Sequence, residues 1–392
     1  MAPLVWSQAV ITEVYGLQAL LAALLLYFYA GPAQDSPSPR FALKRLDCWR
    51  GLTLGLALSN HVTAILLLPV ALVFGSIHHQ PQPEGIPDNR YAWLKNLTLD
   101  RGALLRQLGM LGAGLSLYLV IPLRALANPP VNWGNAITPA RFWWLVSGQL
   151  YQSYYLEFSP VELWGRVQAL ASLLFHQWGV IGFILALMGL VYFFLPSRLF
   201  IFTVWQVIVY SGFAMLYGSV DSYVYLLPVC ISFSIWIGIG LSRMTSSAIL
   251  HQHRLGLVVS SLFIIYLFGL AVSHWPEVDA SHDLRAEAFG RQILEAAPPH
   301  AILFAKGDRA VFTIWYFHFA LHQRPDLTVI AADLLHFDWY QENLHSIYPS
   351  LVIPGPFPFP ETIVIANPSR AVCYVEYTDD AEFQCPKPLA SP

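Results

Sequence analysis

The sequence predicts a mainly α-helical membrane protein: a polytopic domain of about seven or eight membrane helices or half-helices, followed by a small extracytoplasmic α/β domain. Three observations predict this class. Hydrophobic residues make up 56% of the 392 positions. Charged residues make up only 11%, whereas soluble domains carry about 25%. The long apolar runs lie in residues 1–275, and residues 276–392 alternate strand and helix patterns instead.

Composition also excludes several functions. The net charge of −3 gives no basic excess, so nucleic acid is not a predicted partner. Four cysteines in a chain of this length do not form a disulfide scaffold. The sequence contains no zinc motif and no phosphate-binding glycine motif. We therefore expect neither a nucleotide-driven pump nor a metal site defined by motif, and whether a divalent metal takes part is left open.

Seven apolar runs are candidates for membrane helices, which need about 20 apolar residues each. They are Val14–Ala30, Gly51–Ile77, Gln107–Ile121, Trp178–Pro196, Leu199–Tyr217, Tyr223–Leu241 and Leu255–Ser273. The second run is unusual because polar residues interrupt it around Asn60 and His61. It is either one long tilted helix or two short helices that turn back at these two residues.

The distribution of Lys and Arg favours the hairpin, because cytoplasmic loops carry an excess of these residues. With a hairpin, eleven basic residues lie inside: Arg40, Lys44, Arg45, Arg50, Arg90, Lys95, Arg101, Arg106, Arg198, Arg243 and Arg254. Only Arg124, Arg141 and Arg166 then lie outside, whereas a single span would give seven on each side. The hairpin places loop 122–177, Asp221 and residues 276–392 outside the cytoplasm.

This topology also places Met1 outside, although no signal peptide precedes the first span. We therefore expect one or more further spans before Met1 in the complete protein. The alternative is a first helix that inserts with its short N-terminal tail translocated.

Residues 276–392 form the predicted α/β domain. Its predicted strands are Ala301–Ala305, Leu327–Ala331, Thr362–Ala366 and Val372–Tyr377, and its helices are Ala310–His322 and a segment around Trp339–Leu344. Asp308 lies where a strand ends and a helix begins, so it either contacts a ligand or caps the helix. Cys373 and Cys385 can pair if this domain is outside the cytoplasm.

The predicted outside loop 122–177 is too long for a simple connection. It is rich in Trp and Tyr, which suit the membrane interface or stacking on a sugar ring. Arg124 either reaches the interface as an ordinary basic side chain or faces a lipid phosphate. Asn132 and Trp133 offer amide and indole donors to a sugar.

Three further positions combine polarity with a place at the outer end of a membrane run. Glu13 is either an exposed headgroup-level carboxylate or a functional one. Asn60 and His61 either satisfy backbone groups between two half-helices or contact a donor phosphate. Asp221 lies in a short outside turn, where it either caps a helix or binds an acceptor or a metal.

Eight landmarks give the chain a family resemblance. They are WSQAVITEVY at 6–15, GLTLGLALSNH at 51–61, PLR at 122–124, NPPVNWG at 128–134, KGD at 306–308, WY at 315–316, RPD at 324–326 and WY at 339–340. In this order they resemble a polytopic membrane family, once described only as a domain of unknown function. Its animal members are protein O-mannosyltransferases of the GT-C glycosyltransferase type.

The resemblance implies a glycosyltransferase that moves a sugar such as mannose from a polyprenyl-phosphate donor to an extracytoplasmic acceptor, in a bacterial plasma membrane. A protein hydroxyl is the expected acceptor, and a glycan is an alternative. The GT-C plan places a carboxylate after the first membrane helix, in a stretch that would precede Trp6 and is absent from this sequence. A non-catalytic membrane protein that binds lipid-linked sugar, a transporter or an inactive remnant is the alternative function.

Each candidate residue takes a role on this basis. Glu13 and Asp221 are the expected acid–base residues. The expected donor-phosphate contacts are Asn60, His61 and Arg124, and the expected sugar or acceptor contacts are Asn132, Trp133 and Asp308.

Overall fold

The computed structural model describes residues 2–30, 39–79, 97–154, 159–192, 198–246, 253–356, 358–377 and 381–385. Arg90 and Lys95, which entered the topology argument, lie outside these ranges. The chain divides into two compact units. The membrane unit is Met1–Tyr118 with Gly148–Asp279, and the α/β unit is Leu119–Ser147 with Ala280–Pro392. The predicted class, a helical membrane domain with a small α/β domain, is confirmed.

The membrane unit is built from helices of different lengths, most of them apolar. They are α1 Pro3–Val10, α2 Val14–Ala30, α3 Pro39–Asn60, α4 Leu68–Ser76, α5 Arg101–Leu115, α8 Pro160–Tyr192, α9 Arg198–Leu216, α10 Leu227–Thr245 and α11 His253–Val278. Short strands β1 Ile77–His79 and β2 Leu97–Leu99 pair antiparallel between α4 and α5. Within the described residues, five helical stretches are long and apolar enough to cross a membrane. They are Arg101–Leu126, Pro160–Tyr192, Arg198–Leu216, Val220–Thr245 and Leu255–Val278.

The predicted hairpin within 51–77 is present. Helix α3 ends at Asn60, and a 3-10 turn at Val62–Leu67 leads into α4. Gly51, early in the run, and Gly75, at its end, both lie against Gln107 of α5, so the chain has turned back between them. Small residues at such contacts let helix backbones approach closely without a hydrophobic driving force from water.

The α/β unit contains a four-stranded sheet in the order β4-β3-β5-β6. Its elements are α6 Val120–Leu126, α7 Pro139–Val146, α12 Arg285–Ala296, β3 Ile302–Lys306, α13 Asp308–Trp315, β4 Thr328–Ala331, α14 Asp338–Ile347, α15 Pro360–Ala366, β5 Val372–Tyr377 and β6 Ala381–Gln384. Strand β3 pairs parallel to β4 and β5, and β6 pairs antiparallel to β5. The predicted disulfide between Cys373 and Cys385 is formed.

One predicted strand of this unit is wrong. The β-branched run Thr362–Ala366 lies in helix α15 rather than in the sheet. Pro360 occupies the first turn of α15, where a residue without an N–H loses no helical hydrogen bond. The Phe359 backbone N–H donates to Thr362 Oγ1 at 3.0 Å, which also stabilises the start of the helix. The fourth strand is instead Ala381–Gln384, next to Cys385.

Candidate functional site

The tip of the membrane hairpin carries a cluster of rings. The His61 ring lies 5.6 Å from the rings of Tyr15 and Tyr225, and these two tyrosine rings are 5.7 Å apart. The Thr63 backbone N–H donates to His61 Nδ1 at 3.2 Å. Because Nδ1 accepts this hydrogen bond, the neutral ring carries its proton on Nε2, where it can be donated to an anion. We call Tyr15, His61 and Tyr225 the tip cluster.

Asn60 links the hairpin tip to the start of α2 by hydrogen bonds. Its Nδ2 donates to the Val14 carbonyl and to Gln18 Oε1, both at 3.1 Å. Both amide hydrogens are thus used inside the protein, and Oδ1 is the part of the side chain that is left for a ligand. The phosphate contact expected of Asn60 therefore stays a prediction.

Two exposed carboxylates flank the tip cluster. Glu13 follows the bend after α1, and Asp221 lies in the 3-10 turn Val220–Leu226. Glu13 lies two positions before Tyr15, and Asp221 lies in the same 3-10 turn as Tyr225. Ser219, rather than Asp221, caps the turn, because its Oγ accepts the Asp221 backbone N–H at 3.3 Å. The Asp221 carboxylate is therefore not used as a cap.

A cavity of about 250 Å³ in the α/β unit brings together three of the predicted residues, Arg124, Asn132 and Trp133. Asn132 is 6% exposed, and its Nδ2 donates to the Ala125 carbonyl at 3.2 Å. The Trp133 ring packs 5.6 Å from the ring of Trp339. Within the described residues, the exposed Arg124 guanidinium has no ion-pair partner. A fixed amide, a fixed indole and an unpaired cation suit a polar, anionic ligand.

Asp308 is the first residue of α13 and does not line this cavity. The residue before it, Gly307, has a φ of 78° and is the N-cap of α13, and its N–H donates to Asp333 Oδ2 at 2.9 Å. Lys306 at the end of β3 pairs with Glu376 of β5 at 3.3 Å. The sequence thus located Asp308 correctly at a strand end, but no ligand contact for it follows from the structure.

Sequence reasoning missed an ion pair that holds the segment Leu119–Ser147 to α14. The two terminal nitrogens of the Arg141 guanidinium, Nη1 and Nη2, donate to Glu342 Oε2 and Oε1, at 2.7 Å each. Asn135 Nδ2 donates to the same carboxylate at 3.1 Å. The hydrogen bond from Arg141 is the main cause that lowers the pKa of Glu342 below its usual range. No local sequence signal could have found this pair, because its members are about 200 positions apart.

The fold and these two groups of residues define a polytopic membrane protein with a group of polar and aromatic residues in each of its two units. The family model of the protein O-mannosyl-transferase TMEM260 N-terminal domain matches residues 1–83, and that of TMEM260-associated domain 2 matches residues 286–384. The chain is related to the animal protein O-mannosyltransferases, as the sequence landmarks implied.

Two curated relatives illustrate the relation. The mouse protein O-mannosyl-transferase TMEM260 is 23% identical over 386 residues, which cover 90% of this chain and 50% of the relative. The Dictyostelium discoideum protein of the same name is 20% identical over 405 residues, which cover 90% and 47%. The chain thus spans about half the length of these relatives. No solved structure matches it.

Proposed function

We propose that this chain is the membrane part of a glycosyltransferase that moves a sugar such as mannose from a polyprenyl-phosphate donor to a hydroxyl outside the cytoplasm. The observation that carries the proposal is the tip cluster, where a histidine lies between two aromatic rings and exposed carboxylates lie close to both rings in the chain. The relation to transferases at both ends of the chain supports it. A protein side chain is the proposed acceptor.

In this proposal, the membrane unit performs the acid–base chemistry. His61 Nε2 donates a hydrogen bond to the donor phosphate as negative charge accumulates on it when the sugar leaves. Glu13 or Asp221 takes the proton of the attacking hydroxyl, which is the task of a general base. Both carboxylates are exposed, so a substrate can reach them without prior rearrangement.

In the same proposal, the α/β unit carries a binding site of its own. Its cavity presents Arg124, which suits a phosphate oxygen, next to Asn132 and Trp133. The indole of Trp133 offers an apolar face to a sugar ring. Its packing against Trp339 and the hydrogen bond of Asn132 fix both side chains before a ligand arrives. Such preorganisation lowers the entropic cost of binding.

The test is mannosyl transfer by the full-length protein in membrane vesicles, with polyprenyl-phosphate mannose labelled in the sugar as donor and a hydroxyl-bearing protein as acceptor. We expect Asp221→Asn or Glu13→Gln to lower kcat by about 10²–10⁴-fold, as loss of a general base does. We expect His61→Ala to weaken transfer as well. Glu287→Gln, which removes an exposed carboxylate paired with Arg291, serves as the matched control.

Two results would contradict the proposal. If both carboxylate variants and His61→Ala keep the rate of the control, the tip cluster is not the reaction site. If the wild-type protein binds the labelled donor and transfers nothing to protein, lipid or glycan acceptors, the chain is a binding protein for lipid-linked sugar instead of a transferase.

A further inference from the structure

Two membrane helices meet at a group of three side chains that the proposed reaction does not use. His176 lies on α8, and His274 and Glu277 lie on α11. His176 Nε2 is 3.0 Å from Glu277 Oε1, and His274 Nδ1 is 2.9 Å from Glu277 Oε2. The two imidazole rings are 4.6 Å apart. His176 Nε2 also lies 3.2 Å from Glu277 Oε2, so one carboxylate lies between two imidazole nitrogens.

The composition and spacing of this group fit a transition-metal site. The three ligand atoms all lie within 4.8 Å of one another. Two imidazole nitrogens and one carboxylate oxygen form a donor set that zinc accepts, with metal–ligand distances of about 2.0–2.2 Å. Ligand atoms that share one such ion are about 3–3.5 Å apart. His274 and Glu277 are three residues apart on one helix, so they face the same side, and His176 completes the group from the second helix.

The exposure of the group also suits an exchangeable ion. The side chains of His176 and Glu277 are 50% and 52% exposed, whereas His274 is only 12% exposed. An ion held here would keep one or more positions open to water, because the protein supplies three ligands and the site is not enclosed.

We propose that His176, His274 and Glu277 bind a divalent transition-metal cation, zinc in the first place, which ties α8 to α11. The ion replaces the hydrogen bonds that now join the carboxylate to the two rings, and it requires both imidazoles in the neutral form. None of the three residues belongs to the tip cluster. A failure of the metal-binding test would therefore leave the proposed transfer reaction untouched, and the reverse also holds.

The experiment is zinc binding by the full chain, purified in detergent with a tag that contains no histidine and freed of metal by a chelator. We expect one zinc per chain by equilibrium dialysis and elemental analysis. We expect His176→Ala, His274→Ala and Glu277→Gln each to weaken binding at least about tenfold, since even residues that only support a metal ligand cost 10–100-fold. The control His282→Ala removes a nearby histidine outside the group and should leave binding unchanged.

A spectroscopic signature and a stability measurement separate a metal site from a merely structural group. Cobalt bound in place of zinc should give visible absorption in the wild type and in His282→Ala, and Glu277→Gln should abolish it. Zinc should raise the thermal midpoint of the wild type, because a ligand that binds only the folded state stabilises it. The proposal is overturned if the wild type binds no zinc at 100 µM of the free ion, or if zinc shifts the midpoint of wild type and Glu277→Gln equally. In either case the three residues form hydrogen bonds only.

Discussion

In the α/β unit, the central strand residues Ile302 and Phe304 are at most 2% exposed, and apolar neighbours enclose them. In the membrane unit, Ile264 and Ile265 of α11 are 65% and 64% exposed. The same residue type is thus buried in one unit and faces outward in the other. Water drives apolar side chains into a core, whereas lipid is as apolar as the core itself and gives no such drive.

The membrane unit also buries polar side chains between its helices. Gln206 and Ser232 are fully buried between α9 and α10 of the membrane unit. Gln206 Nε2 donates to Ser232 Oγ at 3.1 Å, so the two helices share a hydrogen bond. The α/β unit also buries polar side chains, among them Asn343 and Asn367, which are 5% and 6% exposed. Buried polar side chains thus occur in both units, and the units differ in the long apolar surface of α11, which suits contact with lipid.

The largest effect should come from truncating the same residue type in both units. Ile293 is 0% exposed in the α/β unit, so Ile293→Ala should lower the free energy of unfolding by about 2–5 kcal/mol through lost burial and a cavity. Ile265→Ala is the matched change on the membrane helix, where lipid fills the space, and it should cost no more than about 0.5 kcal/mol. Urea titration of the full chain in detergent, followed by protease cleavage, measures both. Equal losses would contradict the comparison.

A smaller effect should follow from removing a buried polar contact of the membrane unit. Gln206→Leu loses the hydrogen bonds to Ser232 Oγ and to the Pro228 carbonyl. Hydrogen bonds between membrane helices contribute about 0.6 kcal/mol on average and up to about 1.7 kcal/mol, so we expect a loss in that range. Thermal unfolding in detergent measures it. Ser234→Ala, whose hydroxyl donates only within its own helix, is the control and should change little.

The smallest effect should come from the exposed ion pair of the α/β unit. Glu342 has a lowered pKa in the folded protein because Arg141 donates to it. Because the pKa of Glu342 is lower in the folded state, the pair stabilises the fold at every pH above the ordinary glutamate pKa. This stabilisation is lost as the pH falls through the pKa of the folded state. Because Glu342 is 53% exposed and solvent screens the pair, we expect less than about 1 kcal/mol.

Thermal midpoints between pH 7 and pH 3 check this expectation. The thermal midpoint of the wild type should fall further between pH 7 and pH 3 than that of Glu342→Gln, because the variant has no ion pair to lose. If wild type and Glu342→Gln lose stability in parallel over the whole range, the ion pair contributes nothing.

Much of the helical architecture could be predicted from local patterns. The apolar run Val14–Ala30 coincides with α2, and the interruption at Asn60 and His61 is where α3 ends and the chain turns. Thr362–Ala366 could not be assigned correctly, because its β-branched residues favour a strand and only the start signal at Pro360 favours a helix. The grouping of Arg124, Asn132 and Trp133 could be anticipated, since all three lie within ten positions of one another.

By itself, the sequence determined the membrane class, the positions of the apolar helices, the turn in the hairpin and the separate α/β domain, because these depend on the hydrophobicity and periodicity of continuous segments. Only the tertiary structure decided which distant side chains meet: Tyr15 and Tyr225 around His61, Arg141 on Glu342, and His176 beside His274 and Glu277. Such contacts depend on how helices and loops from distant parts of the chain pack together. A linear pattern does not encode the spacing of two side chains that are 100 or more residues apart.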